Sequence, residues 1–477
     1  MQIQELEPQA LWRNFADLNA VPRASKKEER VIAFMQKFAQ GLSLETQTDE
    51  VGNVLVRKPA SAGLEGHPTV ALQSHLDMVH QKNAKTEFDF ATQGIDMVVE
   101  EDWVRARGTT LGADNGIGVA AIMALLASDE VAHPPLEALF TIDEETGMTG
   151  AKGLKPGWLE ARYMLNLDTE DDRELTIGCA GGVDIVGQGS YATEAAPEGH
   201  QFWRLEVSGL TGGHSGMDIH LGRANANKLM NRLLFEATAR GARLASLDGG
   251  GLRNAIPRES VAIVAAPSGD FPAYLQELGD TIRAEFASTD PDFAWSCQTV
   301  EQVVPVLEQD FADRLLRVIY AIPDGIYRLS PEVEGLVQTS NNLARVEVTD
   351  GRYSLACLSR GSVDSEKMDL ARAISCSLEL LGAEVKTSGA YPGWAPAPEA
   401  KVVKVMRETY LEMFGHEPHV NACHAGLECG IIGKNYPEME MISFGPNIRG
   451  AHSPDERVQI SSVQKFWQLL LKTLTRL

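Results

Sequence analysis

Thr69-Val-Ala-Leu-Gln-Ser-His75-Leu-Asp77 begins as an apolar run and ends abruptly in a histidine and a carboxylate. A run this short reads as a buried strand. The same break in polarity recurs along the first third of the chain. Leu136 to Ile142 runs into Asp143-Glu144-Glu145-Thr-Gly147, and Tyr163 to Leu167 runs into Asp168-Thr-Glu170. Gly112-Ala-Asp114-Asn-Gly116 leads into a helix of small and aliphatic residues over 116–128. Strands separated by helices predict an α/β layered sheet covered on both faces. Strand C-termini of such a sheet line the crevice where ligands bind, so these polar ends are expected to converge.

Further out, apolar residues at Val31, Ile32, Phe34, Met35 and Phe38 predict a helix over 28–40. From about Phe202 to Ser388 the texture becomes α+β, with strands over 203–207, 261–265, 344–348 and 353–358 and helices over 225–240, 273–286, 311–322 and 365–381. Asp350-Gly351 supplies the positive φ angles of a hairpin turn. Ser388 to Pro398, dense in glycine and proline, reads as a linker. Beyond it a helix over 401–414, a strand over 440–444 and a helix over 461–475 resume the α/β texture. The expected organisation is one catalytic domain built from residues 1–183 and 397–477, interrupted by an inserted α+β lid at 184–396.

Across the 477 residues, 43 Lys and Arg face 66 Asp and Glu, a formal charge of −23. Nucleic acid and anionic membrane are excluded as partners, since both require a basic surface. No apolar run approaches the ~18–20 residues that cross a bilayer, and the polar start has no signal-peptide pattern. Six cysteines in a chain of this length form no compact framework, which argues for a reducing, cytoplasmic setting. The acidity has a sharper reading as well. Carboxylates gathered at one crevice repel each other unless cations neutralise them. Mixed His and Asp/Glu ligation suits zinc, with cobalt or manganese as substitutes. The number of groups favours two ions, since a bridging carboxylate lets a pair sit about 3.5–4 Å apart.

Singly, each pattern has an ordinary reading: His-x-Asp as a hydrogen-bonded pair, Asp114 as a helix N-cap, Glu144-Glu145 as a solvated loop. Gly212-Gly-His214-Ser-Gly216 reads as a flexible turn, and Arg360 as a strand-end charge. Their joint occurrence, in this order, changes the picture. The set His75-x-Asp77, Gly-Ala-Asp114-Asn-Gly, Asp-Glu144-Glu145-Thr-Gly, Leu-Asp168 and Gly-Ala-His452-Ser-Pro-Asp-Glu456 resembles the di-zinc metallopeptidases that include carnosinases, aminoacylases and tripeptidases. The resemblance covers nearly the whole chain. Gly251-Leu-Arg-Asn254-Ala-Ile-Pro257 and His424-Ala-Gly426-Leu-Glu-Cys-Gly430 look most like the branch that cleaves dipeptides ending in histidine.

The resemblance implies that His75 and Asp168 ligate one zinc, Glu145 and His452 a second, and Asp114 both. It implies that Asp77 orients His75, that Glu144 is the general base, and that a cis peptide follows Asp114. His214 would reach the active site of the partner subunit and stabilise the oxyanion. Arg360 offers a fork for the substrate's terminal carboxylate. Asn254 would bond that carboxylate or the oxyanion, and backbone near Gly426 would approach the substrate. A homodimer through the lid is implied too. The activity expected is hydrolysis of Xaa-His dipeptides, carnosine-like ones included. A broader di- or tripeptidase, or an N-acyl amino acid deacylase on the same centre, is the rival reading, because pocket shape decides between them. A non-catalytic zinc- or peptide-binding protein is the reading from another class, and the intact Glu144 stands against it.

Overall fold

Four parallel strands, Leu136–Thr141, Val70–His75, Tyr163–Asn166 and Glu440–Ser443, stand side by side in that order at the centre of an eight-stranded sheet. Every residue of the first three is buried, and they read as largely apolar segments without strict alternation. Antiparallel strands Val54–Lys58 and Glu45–Thr48 extend one edge; antiparallel Glu174–Cys179 and then His419–Cys423 extend the other. Helices Gln9–Asn19, Glu29–Gly41, Ala113–Ala127, Lys401–Phe414 and Ile460–Leu474 contribute to one core with this sheet. The helix Ala113–Ala127 is buried on all sides from Asn115 to Leu126, as its all-round apolar composition requires.

The computed structural model describes residues 2–477 apart from Ser268, Asp270 and Gln302. The chain forms two units. The first comprises residues through Gly178, Pro396–Ala422 and Leu427–Leu477; the second comprises Cys179–Ala395 and the tetrad Cys423–Gly426. The divisions thus fall after Gly178 and Ala395 instead of after 183 and 396. The tetrad leaves its flanking sequence because the Ala180 amide donates to the carbonyls of both Cys423 and Ala425.

The second unit is an antiparallel sheet in the order Ala294–Val300, His200–Ser208, Ser260–Pro267, Arg243–Gly250, Val337–Thr349, Arg352–Gly361, Gly181–Ser190, Glu384–Tyr391, with Gly325–Leu329 also pairing to Val337–Thr349. Helices Ala226–Ala239, Phe271–Glu285, Gln309–Ala321 and Asp364–Leu380 share one core with it, an α+β arrangement. Asp350 and Gly351, at φ 51° and 75°, turn the hairpin that pairs Thr349 with Arg352.

One expectation is corrected. The stretch read as a linker from Ser388 begins inside the strand Glu384–Tyr391, which pairs with Gly181–Ser190. Gly389, at φ 60°, lies in the register shift between Ser388 and Tyr391, so the glycine that suggested a linker serves an irregularity in a strand. Among the described residues, no helix is long and apolar enough to cross a membrane.

Candidate metal centre and substrate-binding residues

Three neighbouring parallel strands deliver their acids to one end of the sheet. His75 closes its strand, Asp168 stands two residues past Asn166, and Glu144 and Glu145 follow Thr141 on a loop where Asp143 takes φ 52°. Asp114 sits in the first turn of its helix with a non-helical ψ of 111°, and its peptide bond to Asn115 is cis. The helix N-cap is Gly112, so Asp114 does not cap. His452, at φ 63°, comes from the loop after Arg449.

The side chains meet as two groups that share one member. His75 Nε2 lies 3.1 Å from Asp114 Oδ1 and 3.5 Å from Asp168 Oδ1. His452 Nε2 lies 3.2 Å from Asp114 Oδ2 and 2.9 Å from Glu145 Oε2. In each group the donor atoms lie within 4.8 Å of one another. Asp114 therefore offers a different oxygen to each histidine. Donors about 2.1 Å from a tetrahedral ion stand roughly 3.4 Å apart, close to the separations here. Glu145 also keeps a buried oxygen, Oε1, without a hydrogen-bond partner among the described residues. Residues and geometry fit a pair of divalent ions bound through nitrogen and oxygen.

Electrostatics agree. Burial would lower the His75 pKa, but Asp168, Asp114 and Asp77 outweigh it and hold it well above the usual value. Hydrogen bonds to Asp114 and Glu145 push His452 up to about 11. Burial raises Glu144 well above the carboxylate range, with Asp168, Glu428 and Asp114 adding repulsion and His75 opposing it. Cations at Asp114 and Asp168 would relieve that repulsion. Burial, with Asp114 and Asp168 beside it, pushes Glu170 up to about 8.

The layer behind the candidate ligands holds several residues that sequence reasoning missed. His75 Nδ1 lies 3.1 Å from the Asp77 carbonyl, a pure acceptor, against 3.4 Å from the Asp77 carboxylate. This assigns a proton to Nδ1 and leaves Nε2 as the candidate ligand atom. The Asp77 carboxylate also accepts from Ser25 Oγ at 2.7 Å and from the amides of Glu144 and Glu145 at 3.1 and 3.3 Å. Asp77 thus secures the loop that carries the expected base as well as the imidazole. Fully buried Arg23 donates to the carbonyls of Leu76, Asp77 and Gly112 and to Asn19. Glu456 accepts from the amides of Leu111, Gly112, Ala113 and Asp114, an N-terminal clamp on the helix that carries Asp114. Beneath them, Glu428 accepts from Gln73 Nε2 and Thr141 Oγ1, and burial pushes its carboxyl up to about 8.

The expected substrate-binding residues belong to the second unit. A Cβ on Gly216 would lie 3.1 Å from His214 Cε1, 3.2 Å from Arg360 Cδ and 2.2 Å from the His424 carbonyl, so these three residues pack around that glycine. Arg360 is buried, pairs with no carboxylate among the described residues, and donates through Nη1 to the Tyr391 hydroxyl at 3.1 Å. His214 Nδ1 accepts the amides of Gly216 and Met217 at 3.2 and 3.0 Å. That assigns its proton to Nε2. Burial and Arg360 hold the His214 pKa below its usual value. Asn254 joins this region through its carbonyl, which accepts Ser215 N at 2.7 Å, while its side chain is exposed and makes no hydrogen bond among the described residues. Gly426 lies in the tetrad held on Ala180.

The family model of peptidase family M20/M25/M40 matches residues 71–476. The cytosol non-specific dipeptidase of Escherichia coli (strain K12) is 42% identical over 478 residues, covering 99% of this chain and 98% of that protein. The crystal structure of aminoacylhistidine dipeptidase from Vibrio alginolyticus superposes with a TM-score of 0.95 at 40% identity, covering 100% of this chain and 98% of that one. The aminopeptidase PepT of Bacillus cereus shares the fold, with a TM-score of 0.57 at 14% identity over 98% of each chain.

Proposed function

The chain belongs to peptidase family M20/M25/M40, and we propose that it is a cytoplasmic metallodipeptidase that cleaves dipeptides, including those ending in histidine such as β-alanyl-histidine. The observation that carries this reading is Asp114, which turns one carboxylate oxygen to His75 and the other to His452. The names of the relatives in Escherichia coli and Vibrio alginolyticus support a dipeptide substrate. The word non-specific in the first favours a range of dipeptides wider than Xaa-His alone.

On this reading His75 and Asp168 would hold one ion, Glu145 and His452 the other, and Asp114 would contribute to both. Two zinc ions, or cobalt or manganese in their place, would supply Lewis acidity and lower the pKa of water toward neutrality. Glu144 accepts the proton of the attacking water and delivers it to the leaving amine. Asp77 and Arg23 keep the loops of Glu144 and Asp114 in register through the bonds described above. His214, with its proton on Nε2, donates to the oxyanion. Two copies associate through the second unit, so that His214 serves the partner subunit's centre. Arg360 takes the terminal carboxylate of the substrate, because a buried guanidinium without an anion is costly until one arrives. Asn254 and the backbone at Gly426 add polar contacts to the bound peptide.

The test is an assay of zinc-loaded protein on β-alanyl-histidine, other dipeptides, tripeptides and N-acetyl amino acids. Preferential cleavage of dipeptides is the expected result. Equal or faster cleavage of the acetylated substrates would overturn the reading in favour of a deacylase.

A further inference from the structure

Arg360 and Tyr391 lie on the two strands that flank Gly181–Ser190, and both pair with the same residue, Gly182. Paired positions across a sheet project side chains to one face, and strands one apart are about 10 Å distant. Two such side chains normally have a third between them. Here there is none. A Cβ on Gly182 would lie 2.7 Å from Tyr391 Cε1 and 2.9 Å from its hydroxyl oxygen, so the tyrosine ring occupies the space a middle side chain would fill. Gly182 is absent from the positive-φ residues, so space, not backbone freedom, is what the glycine supplies. Lying across the rung, the ring carries its hydroxyl to 3.1 Å from Arg360 Nη1. Its backbone is tied down as well. Lys367 Nζ donates to the Tyr391 carbonyl at 2.6 Å and to Asp364 Oδ1 at 2.8 Å, and that oxygen also accepts Gly393 N at 2.9 Å.

We infer that Tyr391 is a positioning residue for Arg360: reaching over Gly182, it fixes the plane of the guanidinium that takes the substrate's terminal carboxylate, and so sets the preference for a free carboxyl end. The inference rests on the carboxylate role of Arg360 proposed above. A fork binds a carboxylate with two parallel bonds only when its plane is set. The structure fixes that plane at two points, Nη1 on the Tyr391 hydroxyl and Cδ against Gly216, while Nε has no partner among the described residues.

The experiment compares β-alanyl-histidine with its C-terminal amide in the zinc-loaded enzyme and in Tyr391→Phe, Gly182→Ala, Arg360→Met and the Tyr391→Phe/Arg360→Met pair. Tyr391→Phe keeps the ring and removes the acceptor, so KM for the free acid rises roughly tenfold or more with kcat nearly unchanged, while the amide is little affected. Gly182→Ala displaces the ring and moves KM the same way. Arg360→Met abolishes the preference for the acid, and adding Tyr391→Phe to it changes nothing further, a non-additive cycle. If Arg360→Met loses the preference but Tyr391→Phe leaves KM unchanged, or lowers only kcat, the positioning role is overturned while the carboxylate role stands. If Arg360→Met keeps the preference, the carboxylate role itself fails and the inference falls with it.

Discussion

Four histidines divide the molecule into two electrostatic regions. In the first unit, carboxylates surround His75 and His452 and drive both pKa values up, His452 to about 11. In the second unit, burial and the nearby Arg360 drive His214 and His424 down, His424 to about 3. The same side chain answers in opposite directions because carboxylates dominate around the first pair, while burial and the Arg360 guanidinium outweigh Asp218 around the second. Each is unfinished in the opposite sense. On the proposed function, divalent ions would supply positive charge to the first, and a peptide's carboxyl end would supply negative charge to the second. A chain with 66 acidic residues and a net charge of −23 thus holds one spot crowded with acids and another in which a buried guanidinium pairs with no carboxylate among the described residues.

The hardest way to break this contrast is to remove the shared acid. Asp114→Ala takes one donor from each group at once, so both ions should be lost in a metal count by mass spectrometry. Activity should fall by at least the ~10²–10⁴-fold expected from losing a general base. Retention of one ion would mean that the two groups bind independently. Next comes Glu144→Gln, which keeps the side chain's shape and removes its basicity. The expected result is a kcat lower by about 10²–10⁴-fold with metal content intact, and full residual activity would reassign the base. His214→Ala follows, with a loss of ~10²–10³-fold, as for other oxyanion donors. If His214 acts across a two-fold contact, mixing inactive His214→Ala and Glu144→Gln chains restores activity, because a mixed pair contains one centre with both groups intact. No recovery on mixing would place His214 in its own chain's site.

The first region was far more legible in the sequence than the second, and the reason is physical. Val70–His75 and Tyr163–Asn166 are buried throughout, so they read as largely apolar runs, and the polarity break at their ends marks His75 and Asp168 as candidate ligands. Lys401–Phe414 has the bounds its apolar spacing predicts. Arg23 carries no such mark. Its partners are carbonyls 53, 54 and 89 residues away, and carbonyl acceptors are identical in every residue. Glu456 was visible as an acid in the last motif, yet its partners are four amides more than 340 residues earlier. The strand through Tyr391 was hidden because it pairs on one side only and is mostly exposed, so it has no apolar pattern to set against its glycine and prolines.

Glu456 gives a milder way to sharpen the contrast. Glu456→Gln keeps the volume but removes the charge and half the acceptor capacity facing the amides of Leu111, Gly112, Ala113 and Asp114. As a substitution behind a ligand, it should weaken metal affinity about 10–100-fold, read by competition with a chelator, while kcat at saturating zinc changes little. A lowered kcat with unchanged affinity would show that the clamp acts on the reaction and not on the ligand.

The smallest effect tests the second region through stability. His424 is 7% exposed, its Nε2 lies 2.7 Å from Ser340 Oγ and its Nδ1 is buried without a hydrogen-bond partner among the described residues. Burial, followed by Arg360, His214 and His220, lowers its pKa from 6.5 to about 3, opposed by the Val337 backbone. The ring therefore stays neutral in the folded chain at a pH where the unfolded chain protonates it. Between about pH 3 and 6.5 the unfolded state binds the extra proton, so the stabilisation is complete above the unfolded pKa and is lost as pH falls, by up to about 1.4 kcal/mol per unit. His424→Gln cannot take up that proton. The difference in urea midpoint between wild type and variant should thus be constant above about pH 7 and shrink, or change sign, toward about pH 5, with acid groups elsewhere cancelling in the comparison. A difference that does not vary with pH would mean that His424 takes its proton in the folded chain too, and the second region would then not be the proton-excluding counterpart of the first.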